Sequence, residues 1–252
     1  MRFFLTLAYK GTAYAGWQRQ PNAVSVQARL EEALTTLLRH PVELTGCGRT
    51  DAGVHAGYYV AHFDTADALP ASFERAVNSL LPPDIAVFGA AQVADDAHAR
   101  YDAVERSYEY HIALRKDPFA TELAWFYPQH ARLDLGAMQE VARMLTEFED
   151  FAPFCKSDSG LDHFKCDVKS ARWEWLPERH RLVFHITANR FLRGMVRLIV
   201  GACIQAGRGK LHPESVRAAL QQQQALPLPL SVPPQGLFLS SVAYPFAFQG
   251  KT

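Results

Sequence analysis

The chain has 252 residues, of which 48% are hydrophobic, 21% charged and 12% aromatic; this is the make-up of a folded globular protein and excludes disorder and collagen-like structure. At this length folding buries roughly 70–75% of the extended chain's surface, so one large domain or two half-size ones hold a core without disulfides. Lys+Arg 26 against Asp+Glu 26 leaves no net charge to mark a nucleic-acid partner, yet Arg179 to Pro213 carries seven basic residues and no acid, a positive stretch open to a polyanion or to solvent.

Phe3 to Tyr9 is aromatic and aliphatic and predicts a strand, followed by a loop with Tyr14, Gly16 and Trp17. From Ser25, an N-cap residue, apolar side chains recur at Val26, Leu30, Ala33, Leu34, Leu37 and Leu38, the spacing of an amphipathic helix that Pro41 breaks. Val42 to Cys47 and Val54 to Phe63 read as strands, Pro70 to Leu80 as a helix stopped by Pro82-Pro83, and Ile85 to Val93 as a strand. The second half predicts strands over Val104 to Leu114, Val168 to Leu176, Leu182 to Ala188 and Phe238 to Tyr244. Helices are predicted over Leu135 to Phe148, Phe191 to Ala206 and near Pro213 to Gln224.

Each half therefore has the order β-α-β-β-α-β. The expected architecture is α+β: two ferredoxin-like halves, residues 1–97 and 98–252, whose antiparallel sheets join around a central cleft that accepts single-stranded or looped RNA. The N-terminal apolar run ends at Tyr9-Lys10-Gly11, too short for a signal peptide, and no run reaches the ~18 apolar residues of a membrane span, so a cytoplasmic protein with free thiols is expected. Cys47, Cys155, Cys166 and Cys203 are scattered. Cys155, His163 and Cys166 lie close together, but their irregular spacing is not that of a zinc site, and no metal is expected.

Three groups of residues are able to carry chemistry. Gly46 to Ala56 (GCGRTDAGVHA) lies between two predicted strands, and its three glycines suit a loop whose backbone lets a ligand approach. Arg49 stands two residues from Asp51, and a neighbouring cation favours the anionic form of a carboxylate; a turn Asp beside a surface Arg has the same pattern. Tyr108 and Tyr110 share one face of a strand, able to stack a base or simply to pack the sheet. Arg190, Arg193 and Arg197, spaced i, i+3, i+7, would share one helix face, suited to phosphates or to solvent, opposite Leu192, Val196, Ile199, Val200 and Cys203.

Gly48 to His55 (GRTDAGVH) closely resembles the catalytic motif of the TruA family of tRNA pseudouridine synthases. The resemblance runs along nearly the whole chain. It takes in Tyr9 to Thr12 with Tyr14 and Gly16 to Gln20, Leu81 to Ile85, His98 to Arg100, Met195 to Arg197 with Ile199 to Gly201, and Pro234 to Leu237. One departure is Phe148-Glu149-Asp150-Phe151, where the family pattern has a glycine before Asp-Phe. The resemblance implies a homodimeric isomerase that converts uridine to pseudouridine in the anticodon stem-loop of tRNA, at positions 38 to 40. By the same carry-over Asp51 is the nucleophile, Tyr108 lies against the target base, Arg49 enters the RNA or helps extrude the nucleotide, and Arg197 pairs with Asp51. Arg190 and Arg193 are the accompanying candidates for phosphate contacts. Such an isomerisation breaks an N-glycosidic bond and rejoins the base through carbon, so it calls for no redox cofactor, metal or nucleotide energy source.

Two rivals fit parts of the pattern. A non-catalytic RNA-binding protein on the same fold explains the basic stretch and the tyrosines but leaves Asp51 without a task, since an anion in an RNA cleft lowers affinity. An Asp-nucleophile hydrolase or phosphotransferase needs further clustered carboxylates for Mg²⁺, and after Asp51 none occurs before Asp64.

Overall fold

In the computed structural model, which describes residues 1–156, 163–228 and 230–248, the aromatic N-terminal run forms β1 (Arg2–Tyr9). Two compact units follow from the packing of the chain: Met1–Val104 together with Phe238–Thr252, and Glu105–Leu237.

In the first unit β1 leads to α1 (Val26–Leu38), β2 (Thr45–Gly46), β3 (His55–Asp64), α2 (Phe73–Leu80) and β4 (Ile85–Val93). β1 lies between β4 and β3, antiparallel to both, and β2 pairs antiparallel with β3 at its far edge. A last strand, β9 (Leu237–Ala243), runs parallel to β3 through His55↔Phe238 and Ala56↔Leu239. Phe3, Phe4, Leu5 and Leu7 are all buried, which is why β1 is a continuous apolar run and not an alternating one. The Ser25 hydroxyl accepts the Ala28 N–H at 3.2 Å and caps α1 as predicted.

The helix stops at Arg39, in the left-handed region at φ 59, because His40 precedes Pro41 and is barred from helical angles. The strand predicted over Val42 to Cys47 shrinks to two residues. Side chains of α1 take the backbone groups that a ladder would need: Thr35 accepts the Val42 N–H, Glu31 accepts the Leu44 N–H, and Gln27 donates to the Leu44 carbonyl.

The second unit contains β5 (Glu105–Ala113), β6 (Trp125–Phe126), α3 (Leu135–Met144), β7 (Val168–Leu176), β8 (Arg181–Ala188), α4 (Met195–Gly207) and α5 (Pro213–Gln222). β8 lies between β5 and β7, antiparallel to both, and β6 adds a short parallel pair beside Ile112 and Ala113. Helix α4 is buried almost all round, with Ile199, Val200, Ala202 and Cys203 inaccessible to solvent. It begins at Met195 and not at Phe191, because Gly194 sits at φ 71 and breaks any continuous helix across it. The architecture is thus α+β, with mostly antiparallel strand pairing and five α-helices among the described residues.

One buried polar contact of the first unit gives its stability a pH dependence. His62 on β3 is 6% exposed, stacks on Phe4 and accepts the Ala99 N–H at Nδ1, 3.1 Å away. Burial first, then the charges of Arg2 and His98, push its pKa down to about 4. The unfolded chain takes up that proton near pH ~6.5, so this stability is whole above ~6.5 and is lost as the pH falls toward about 4. Urea midpoints measured from pH 7 to 4 should fall less steeply for His62→Gln than for the parent; parallel curves would remove His62 from the account.

Candidate active site

Asp51 sits on the loop that joins β2 to β3, and the loop is gripped from beneath by three aromatic residues. Trp17 and Tyr59 stack with ring centroids 4.1 Å apart, and Tyr9 leans on both at 6.2 and 5.6 Å. All three rings are buried, and each belongs to a residue that reaches the loop. The Tyr59 hydroxyl donates to the Gly48 carbonyl. The Tyr9 hydroxyl and the Thr50 hydroxyl are 2.8 Å apart, and the Trp17 backbone N–H donates to the Thr50 carbonyl at 3.3 Å. On the other side of Asp51 the Gly53 N–H donates to the Tyr14 carbonyl, and the Val54 N–H closes a turn onto the Asp51 carbonyl. Residues 48, 50 and 53 are thereby tied down while Asp51 is half-buried and Arg49 is exposed. Arg49, two residues from Asp51, thus stands in solvent where Asp51 is partly covered.

His55, the last residue of the GRTDAGVH stretch, is a framework residue: it is 1% exposed, its Nδ1 accepts the Gly11 N–H at 2.9 Å and its ring lies 4.6 Å from that of Phe238. Neither Tyr9 nor Tyr59 stood out among the candidates, although Tyr9, Tyr14 and Trp17 belong to the opening signature; an aromatic strand end facing a glycine-containing loop was the available signal.

In the second unit Tyr108 on β5 is half-buried and meets Phe191 edge to face at 5.0 Å. Tyr110, which the sequence left open between stacking a base and packing the sheet, packs: it is a core residue at 0% exposure whose hydroxyl donates to the Pro233 carbonyl at 2.8 Å, and burial pushes its pKa upward. Arg197 lies in the first turn of α4, half-buried, with Nε donating to the Val232 carbonyl at 2.7 Å. That bond fixes the plane of the guanidinium and so the direction of its terminal nitrogens.

The predicted helical stripe of three arginines does not form. Arg190 and Arg193 precede Gly194 and the helix; Arg190 contacts His163 at 3.2 Å, and Arg193 is exposed. Nor is the acid-free stretch a single positive face. Arg179 and Arg181 flank the β7–β8 turn, where Arg181 approaches Asp117 at 3.5 Å. Arg208 and Lys210 follow the far end of a 13-residue helix, about 20 Å from Arg193 at 1.5 Å per residue.

A family model described as tRNA pseudouridine synthase matches residues 6–102 and 142–245. The chain is similar to tRNA pseudouridine synthase A of Porphyromonas gingivalis, with 44% identity over 247 residues and 97% of each chain covered. It is also similar to tRNA pseudouridine synthase A of Bacteroides thetaiotaomicron, with 46% identity covering 97% of this chain and 91% of the other. The Nitrosomonas eutropha protein of the same name is 38% identical over 97% of this chain and 88% of its own.

The grip on the loop is testable through two glycines. Gly16 has φ 100, and a Cβ there would stand 2.2 Å from the Thr50 carbonyl oxygen, whereas a Cβ at Gly48 meets nothing within 4 Å. Gly16→Ala should cost about 1–3 kcal/mol in urea unfolding, and Gly48→Ala less than half of that. Equal costs would show that the loop is not pressed against Gly16.

Proposed function

Since the chain belongs to the TruA family of tRNA pseudouridine synthases and isomerises uridine to pseudouridine in tRNA, we propose that its target lies in the anticodon stem-loop and that Asp51 is the nucleophile. The observation that carries this reading is the anchored loop: four separate contacts hold Gly48, Thr50 and Gly53 while the carboxylate between them is left half-buried. A nucleophile held at a fixed place on a rigid loop gains the proximity and orientation that the reaction needs.

The chemistry follows from what must be broken and made. The C1′–N1 bond of the uridine breaks, the uracil turns, and C1′ bonds to C5; the proton lost from C5 is balanced by one gained at N1. The Asp51 carboxylate supports this by forming a transient covalent bond, either to C1′ of the ribose or to the uracil ring, and is released when the new C–C bond is complete. A base paired in a stem has to leave the helix first. Exposed Arg49 enters the RNA and helps to extrude the nucleotide, and Tyr108 lies against the flipped base. Arg197, its guanidinium plane set by Val232, pairs with the nucleophilic carboxylate and orients it in the reacting complex. Arg190 and Arg193 contact phosphates.

Two further elements belong to this proposal. Each half of the chain is built on the ferredoxin-like pattern, supported in the first unit by the strand order β4-β1-β3-β2 and in the second by the order β5-β8-β7 with α3 and α4, the last strand of that pattern, β9, packing with the first unit. The enzyme works in the cytoplasm as a homodimer, an arrangement in which one subunit grips the tRNA body while the other supplies Asp51.

Asp51→Asn should abolish pseudouridine formation, with a loss of several orders of magnitude in single-turnover rate, while tRNA affinity stays equal or rises because an anion has left the cleft. Retention of a tenth of the parent rate would remove Asp51 from the nucleophile's role. Substituting Arg190 and Arg193 together should raise KM for tRNA and flatten the log–log salt dependence of binding by about one to two units. An unchanged slope would assign both residues to solvent.

A further inference from the structure

The turn between β4 and β5 is held far more firmly than a surface connection requires. Arg2 donates from Nη1 to the Ala97 carbonyl at 2.9 Å, and the Ala99 N–H donates to His62 at 3.1 Å. The Tyr244 hydroxyl, from the segment after β9, donates to the Ala99 carbonyl at 2.6 Å. Within the turn the His98 N–H donates to Asp102 at 2.7 Å, and His98 Nδ1 accepts the N–H groups of both Arg100 and Tyr101 at 3.1 and 3.2 Å. Three distant parts of the first unit thus converge on Ala97 and Ala99, in a turn whose six residues 97–102 are also bonded to one another, and what the turn holds out is Tyr101.

Tyr101 is 74% exposed, in a chain whose other tyrosines are buried or half-buried. Its ring rests at 4.2 Å from the ring of His98, which in turn meets His62 edge to face at 4.7 Å. The Arg100 guanidinium lies 5.7 Å from the ring centre. A column of rings begins in the core at His62, passes through His98 and ends on an aromatic face in water. A rigid aromatic side chain presented this way loses little conformational freedom when a flat partner stacks on it.

We propose that Tyr101, flanked by Arg100, is a stacking platform for an unpaired nucleobase of the bound tRNA. This rests on the reading of the chain as a tRNA-modifying enzyme. The surrounding charges favour a base over the phosphate backbone: Asp95, Asp96 and Asp102 lie in the same stretch as Arg100, and they repel a phosphate but leave an uncharged base face unaffected. Stacking also tolerates any base, since every base has a π face.

The experiment compares Tyr101→Ala, Tyr101→Leu and Tyr101→Phe for equilibrium binding of an unmodified tRNA transcript, for KM and kcat of pseudouridine formation, and for the salt dependence of binding. Ala and Leu should each weaken binding by about five- to a hundred-fold, with the loss in KM larger than that in kcat, and Phe, which keeps the ring, should stay within about two-fold of the parent. The salt slope should match the parent's in all three, because no counterion-releasing group has been removed. Parent-like binding by the folded Ala or Leu variant overturns the platform, as does a flattened salt slope, which would assign the contact to phosphate. A parent protein that binds the transcript and forms no pseudouridine would refute the enzymatic reading instead, and the binding comparison would still decide on Tyr101.

Discussion

The arrangement of the first unit turns on the grip of Tyr9, Trp17 and Tyr59 on the loop around Asp51. A connecting loop at the surface is ordinarily the most mobile part of a domain. Here its two peptide carbonyls at Gly48 and Thr50 are occupied by donors from a buried aromatic cluster. The cluster serves two ends at once. Its ring stacking belongs to the core between sheet and helix, and its polar atoms reach out of that core to the loop. Displacing the loop would break the bonds that the Tyr59 and Tyr9 hydroxyls make to Gly48 and Thr50, each worth about 0.5–1.5 kcal/mol net. The same stacking that stabilises the fold therefore sets the place of the carboxylate, and sequence in the opening strand is under constraint from a site forty residues away.

The second unit uses the same logic with different parts. The segment 230–233 has no helix or strand of its own, yet it is held at three points. Arg197 donates to the Val232 carbonyl, Tyr110 donates to the Pro233 carbonyl, and at Gly201 a Cβ would stand 1.6 Å from the Leu230 carbonyl oxygen. Arg197 is thus oriented by a backbone that is itself oriented by a core tyrosine. This explains why Tyr110, adjacent to Tyr108 on the strand face, is buried: its role is to hold the chain that holds the arginine.

Most strands and helices were legible because their signals are local. Ser25 capped α1, and the boundaries of β4 and β7 agree with the apolar runs. What escaped sequence reading depended on contacts from outside the segment. Residues 42–44 have strand-like composition, but Thr35, Glu31 and Gln27 of α1 capture their backbone groups. Arg190, Arg193 and Arg197 have helical spacing, but a single left-handed glycine at 194 separates two of them from the helix. The GRTDAGVH stretch was recognisable from eight residues; the aromatic clamp beneath it was not, because Tyr9 and Tyr59 come together only through the pairing of β1 with β3.

Charge sets a further constraint on how such a protein holds a polyanion. With 26 basic and 26 acidic residues the chain gains little from its overall field. The seven basic residues of its acid-free stretch are moreover divided between the two ends of α4 and the β7–β8 turn, so they do not add up at one place. Counterion release scales with the number of phosphates neutralised and supplies most non-specific affinity; a dispersed set of arginines keeps that contribution modest. Contacts that carry no charge then have to share in the affinity, and a rigid exposed ring such as the proposed Tyr101 platform is the kind of group that can provide them.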